Sequence, residues 1–212
     1  MQERFPFSYR VGLLAALMAI AAGVDFCRHG RAATQYKEYA FIWLAGLIGC
    51  LIGGANDLIT SSISPEFFSL GKGLPDGETL KLRAAMYGIK EGLSAGVIGG
   101  AVCVYASRRK TTVPPLAFGG MLRLLWMPAG GAVLGAVLLP LIASRFDPMG
   151  FAVKLDGMIA AGPIVQFRRV WWIHTGLYSG LLAGLLALIV VVLKLRRTAS
   201  TTAPKTEKIS DF

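Results

Sequence analysis

The chain has 212 residues, of which 54% are hydrophobic and only 16% charged, with a mean hydropathy of +0.58. Soluble domains carry about a quarter charged residues and ~7% glycine, whereas glycine here numbers 26. That balance excludes a disordered chain, a disulfide-stapled secreted module and an ordinary soluble enzyme, and it leaves an all-α polytopic transmembrane bundle.

Lysine and arginine total 22 against 12 acidic residues, a net charge of +10. In a soluble protein such an excess points to nucleic acid. Here the basic residues stand just outside apolar runs: Arg28, Arg31 and Lys37; Arg108, Arg109 and Lys110; Arg168 and Arg169; Lys194, Arg196 and Arg197. Flanking cations of this kind anchor helices in anionic headgroups. The partner implied is the lipid bilayer, not nucleic acid. The three cysteines, Cys27, Cys50 and Cys103, form no C-x-x-C pair and carry no redox information.

A helix needs about 20 apolar residues to cross a bilayer. Uncharged stretches run over 11–24, 39–56, 92–107, 124–144 and 170–193. The last two suffice alone, and 39–56 suffices with Asn56 at the interface. Residues 92–107 need Lys90 and Arg108 to snorkel at either end. Backbone hydrogen bonds must close internally in lipid, so each stretch is read as a helix. Residues 11–24 form either a fifth, N-terminal span or a signal-like segment; Phe26 ahead of Cys27 argues against lipoprotein processing. The organisation expected is therefore an N-terminal span with a basic linker over 1–39, a four-helix core over 40–195, and a flexible polar tail over 196–212.

With five spans, residues 27–38, 108–123 and the tail share one side and hold 12 of the 22 basic residues, against 10 on the other. The second group is spread over longer segments, so charge density favours a cytoplasmic C-terminus. The expected location is the bacterial inner (plasma) membrane.

Glycine is placed at helical spacing. Gly88, Gly92, Gly96 and Gly100 recur every four residues, as do Gly176, Gly180 and Gly184, with shorter copies at Gly49–Gly53 and Gly131–Gly135. Spacing four puts them on one face, where backbones approach closely without a hydrophobic drive. Packing within the bundle is the main expectation; a homo-oligomer through one ridge is the alternative.

The run Asn56-Asp57-Leu58-Ile59-Thr60 to Ser64-Pro65-Glu66-Phe67-Phe68 ends the second span. Ser64-Pro65-Glu66 is a helix-start signature, with Ser as N-cap, Pro at N1 and an acid in the first turn. A short interfacial helix near 65–70 is expected. By parity the second span ends, the third begins, the fourth ends and the fifth begins on one side. Asn56, Asp57, Glu66, Lys90, Glu91, Arg145, Asp147, His174 and Tyr178 thus lie toward one surface, periplasmic in the orientation above. Asn56, Asp57, Thr60, Glu66, His174 and Tyr178 form the candidate polar cluster. Ionisable groups at such depth are normally paired, and Asp57 with His174 is the expected pair.

At these residues the chain resembles an uncharacterised family of bacterial multi-pass membrane proteins. Its motif runs roughly His-Asp-x-Ile-Thr-x-x-Ile-Ser-Pro-Glu-Tyr-Phe, with a second, Met-His-Asn-x-Ser-Tyr-x-Gly-Gly-like element similar to Ile173-His174-Thr175-Gly176-Leu177-Tyr178-Ser179-Gly180. Asp57, Thr60, Glu66, His174 and Tyr178 match; Asn56 stands in place of His, and Thr175 in place of Asn. The resemblance implies location and topology over about residues 40–195, and no chemistry.

Two motifs tempt and are set aside. Gly92-Leu93-Ser94-Ala95-Gly96 fits G-x-S-x-G, but a nucleophile elbow needs a preceding strand and a strained turn. A metal site needs three or four ligands, and the two histidines, His29 and His174, fall on opposite sides; Asp57, Glu66 and His174 would be the one set available. No metal or cofactor is implied. The leading functional expectation is a non-enzymatic subunit or assembly partner. The runner-up is a small permease or proton-coupled transporter using Asp57 and His174, although no inverted repeat with broken helices is visible. An intramembrane hydrolase using Ser94 and His174 comes third.

Overall fold

The computed structural model describes residues 6–108 and 116–202. Within them the chain is helical and carries no strand. The helices are α1 (Phe7–His29), α2 (Gln35–Ile63), α3 (Leu80–Arg108), α4 (Phe118–Leu124), α5 (Trp126–Ala143), α6 (Phe151–Lys154) and α7 (Ala161–Thr202). Five stretches are long and apolar enough to cross a membrane: α1, α2, α3, α4 with α5, and α7. The protein is an integral membrane helical bundle. Arg109, Lys110 and the tail beyond Thr202 lie outside the described residues. A flexible tail is expected from residue 196; α7 runs on to Thr202, and the rest of that segment lies outside the described residues.

α4 and α5 are one span broken at Leu125. Pro128 has no N–H to return to the Leu124 carbonyl, so the ladder tightens there, with the Leu125 N–H donating to the Leu122 carbonyl at 3.1 Å.

The core is two hairpins sealed by glycine. Gly49 and Gly53 of α2 face Gly92 and Gly88 of α3, and a Cβ on any of the four would collide with the carbonyl opposite. Gly131 and Gly135 of α5 face Gly180 and Gly176 of α7 in the same way. One level further along, Gly96 meets Ala45, and Gly184 meets Met127 and Pro128. Only glycine admits backbones at that separation. Gly100 completes the first seam against Ile42 and Ala45.

The two hairpins match each other level by level and run in the same direction. Gly92-Leu93-Ser94-Ala95-Gly96 on α3 corresponds to Gly180-Leu181-Leu182-Ala183-Gly184 on α7. Below Gly88 lies the Asp57 carboxyl; below Gly176 lies Leu139 at the corresponding position. The core is thus a parallel repeat, a form in which both copies cross the membrane in the same sense. Contact is dense within each hairpin and sparser between them.

α1 stands to one side and most of its surface is open. Its firm attachment is Asp25, buried at its C-terminal end, whose Oδ2 accepts the Thr34 and Gln35 N–H groups at 3.0 Å each. The carboxylate therefore caps the start of α2 from the preceding helix. On the other surface Asp147 accepts the Phe151 and Ala152 N–H groups at 2.8 Å. Desolvation opposes its charge, but those amides and Arg168 prevail and hold its carboxyl below the ordinary aspartate value.

Replacing Gly92 by Leu should force α2 from α3 and abolish a folded monomer in mild detergent. Gly12→Leu on α1, where a side chain meets open space, should shift stability by less than about 0.5 kcal/mol. Size-exclusion profiles with thermal unfolding would reveal the contrast, and equal behaviour of the two variants would count against the seam.

Candidate functional site

The site grows from the way α2 stops. Pro65 cannot donate to the Ser61 carbonyl, so the helix ends at Ile63. Ser64 then caps the next turn: its Oγ accepts the Phe67 N–H at 3.3 Å and its hydroxyl donates to Glu66 at 2.9 Å. The segment that follows is a short helical stretch whose first turn is wide. It is a π-helical turn, Phe67–Gly71, closed by the Lys72 N–H on the Phe67 carbonyl at 3.1 Å. The wide turn lets two consecutive phenylalanines face inward. Phe67 and Phe68 are buried with Leu80, Ala84, Ile164, Phe167 and Val170, so the short helical stretch expected near 65–70 takes π form and turns its phenylalanines inward.

These phenylalanines wall an imidazole. The Phe67 ring stacks on His174 at 4.8 Å between centroids, and Phe68 meets it edge-on at 5.9 Å. His174 Nδ1 donates to the Val170 carbonyl at 3.0 Å, and Nε2 lies 2.9 Å from Asp57 Oδ1. The Asn56 amide donates to the same Oδ1 at 3.0 Å and stands 3.3 Å from Nε2. Both members of the pair are buried, Asp57 at 2% and His174 at 5% exposure.

Proton positions follow from these acceptors. A hydrogen must sit on Nδ1, because its partner is a carbonyl. Nε2 and Oδ1 stand within hydrogen-bond distance, the role of each following the imidazole tautomer. Asp57 Oδ2 is buried and has no hydrogen-bond partner.

The remaining candidates divide. Thr60 is buried, but its hydroxyl turns back to the Asn56 carbonyl at 2.7 Å and so braces the helix behind Asp57. Glu66 turns to Ser64. Tyr178 donates instead to Glu91 Oε2 at 2.6 Å, and Lys72 donates to that same oxygen at 2.7 Å while lying 4.3 Å from the Tyr87 ring centre. A second cluster, Lys72–Glu91–Tyr178, thus sits beside the first. Lys72 was missed because its position follows from the π turn, and Glu91 because only its side of the membrane was legible. Asp25 escaped notice because two of its partners are backbone amides, which leave no mark in side-chain pattern; His29, one turn on, lies 2.9 Å from its other oxygen.

Between the hairpins lies a cavity of ≈ 140 Å³, with Asp57, Asn56, Glu91 and Tyr178 among the residues that line it. Ser94 takes no part in a catalytic pair. Its hydroxyl donates to the Lys90 carbonyl at 2.9 Å, and both His174 nitrogens are engaged elsewhere. With Leu182 in the equivalent place of the second hairpin, Ser94 reads as an outward packing position. Among the described residues no three His, Cys, Asp or Glu side chains converge as a metal site would require. Comparison with known protein families, with curated proteins and with solved structures finds no match in any of the three.

Removing Asp57 as Asp57→Ala leaves the buried His174 without its partner, and breaking a buried pair costs on the order of 3 kcal/mol. Glu66→Ala forfeits one hydrogen bond, about 1 kcal/mol. Thermal unfolding in nanodiscs should separate the two, and similar losses would mean that the pair does not anchor α2 to α7.

Proposed function

We propose that this membrane protein is a small proton-linked permease in which Asp57 and His174 form the protonatable pair. One observation carries the reading: a buried, hydrogen-bonded Asp–His pair joins the two hairpins beside the cavity between them, which Asp57 lines. Ionisable groups inside a membrane are costly and mark ion or proton pathways. A parallel repeat with its site at the junction of the copies is a transporter-like arrangement. The glycine ridges that an oligomer would use are occupied within each hairpin, which weakens assembly through them. The resemblance to the uncharacterised bacterial family agrees with a multi-pass protein of the inner membrane. Charge density around the spans supports a periplasmic position for the pair and a cytoplasmic C-terminus.

The reading as a non-enzymatic subunit rests on a different observation. α1 leaves Leu13, Leu17, Ile20 and Val24 exposed, a surface suited to lipid or to another membrane chain.

Proteoliposomes on a solid-supported membrane test the permease reading. An acid pulse should evoke a transient current in the wild type, reduced roughly tenfold or more in Asp57→Asn and in His174→Gln. Equal currents from all three proteins would discard the pair as a proton site, leaving the subunit reading.

A further inference from the structure

The cavity between the hairpins is a slot, not a chamber. Ala45 and Asp57 both line it, twelve residues apart on α2, a length of ~18 Å at the helical rise. Its ≈ 140 Å³ is close to the ~150 Å³ of an apolar cavity that holds one benzene. Drawn out over ~18 Å, the same volume suits a single thin chain. Polar groups gather at one end, where Asn56, Asp57, Glu91 and Tyr178 stand; Cys103, Leu125 and Leu185 stand at the other. Walls of this kind give water no hydrogen bonds, and an empty slot forfeits the dispersion its lining would make. Hydrocarbon meets both needs. Ile98 and Tyr178 line the slot and are themselves exposed on α3 and α7, so it opens sideways to the bilayer. One leaflet supplies about half of the ~30 Å hydrocarbon core, close to the length of the slot.

The polar end adjoins a second space. Glu91 and Tyr178 also line an open recess of ≈ 440 Å³, whose other walls are Phe7, Tyr87, Lys90 and Ser94. Lys72 and Tyr178 both donate to Glu91, so its charge is answered. Among the described residues Lys90 has no carboxylate partner, and its ammonium faces the Phe7 ring at 6.0 Å. The recess thus presents one unanswered positive charge beside the mouth of the slot, where a bilayer places its head groups.

We propose that the slot binds one acyl chain of an anionic phospholipid from the surrounding bilayer, with the lipid's phosphate on Lys90 in the recess and its second chain left in the membrane. The chain fills the space that the sparse contact between the hairpins leaves open. No proton moves and no covalent bond changes, and the site does not rest on the proton-linked reading above.

Native mass spectrometry of the full-length protein in detergent tests the head group, with phosphatidylglycerol, phosphatidylcholine of the same chains, and glycerol 3-phosphate as a head group without chains. Phosphatidylglycerol should bind one to one, phosphatidylcholine about fivefold more weakly, and glycerol 3-phosphate not at all. Lys90→Gln, an exposed position whose change leaves the bundle intact, should weaken phosphatidylglycerol about fivefold and erase its advantage. Photo-crosslinking in nanodiscs tests the chain, using phosphatidylglycerol with a diazirine at one chain end. The wild type should be labelled at the far end of the slot, at Cys103, Leu125 or Leu185. Ala95→Leu, which fills the slot from α3, should lose that labelling and keep any on the outward Leu182 and Leu186; the wild-type map and Lys90→Gln do not depend on how that variant folds. Labelling of the wild type confined to Leu182, Leu186 and other outward positions would overturn the proposal. So would equal affinity for the two phospholipids, or glycerol 3-phosphate binding as tightly as the lipid.

Discussion

Everything in this molecule is built on backbone meeting backbone across glycine. In lipid no solvent drives helices together, so their attraction must come from dispersion and weak polar contact at short range. Gly49 against Gly92 and Gly135 against Gly176 provide that range. The seams then fix the register of each hairpin. Register, in turn, sets the depth at which Asp57 on α2 and His174 on α7 come level. A side chain added at Gly88 would meet both the Gly53 carbonyl and the Asp57 carboxyl, so the same residue seals the seam and makes room for the charge.

The repeat gives the site its asymmetry. Two hairpins of matching glycine pattern would pack as equals, yet Asp57 has Leu139 as its counterpart and His174 has Met86. The Asp57–His174 pair therefore has no counterpart in the repeat, and with the Tyr178–Glu91 hydrogen bond it ties the first hairpin to the second. Interfaces between the copies are sparser than the seams within them, and it is there that a cavity remains. Stiff halves joined by two polar links, Asp57 with His174 and Glu91 with Tyr178, can shift as units, because a packed hairpin moves as a body and its interface rearranges between discrete states.

Much of this was legible in the chain. Span number follows from apolar length, and span parity puts the acid, the imidazole and the phenol on one side. The Ser64-Pro65-Glu66 cap is written in residue types whose hydrogen bonding is local. Other features depend on partners distant in sequence. The π turn at Phe67–Gly71 is decided by the space for two phenyl rings around His174, not by the turn's own residues. Tyr178 shares a helix face with His174, yet its hydroxyl goes to Glu91 because α3 lies nearer to it. Ser94 fits a nucleophile motif whose meaning dissolves once the matching glycine run on α7 is seen.

The sequence by itself determined that the chain is a multi-helix membrane protein, where its glycine faces lie, and which ionisable groups share a surface. Those properties are set by transfer free energy and helical periodicity, both local. Tertiary structure alone decided which glycine faces meet, that two hairpins repeat in the same sense, that Asp57 and His174 close to 2.9 Å while Tyr178 and Lys72 gather on Glu91, and that a cavity separates the halves. Pairings of that kind depend on the relative placement of helices more than a hundred residues apart, and no local pattern records the choice of partner.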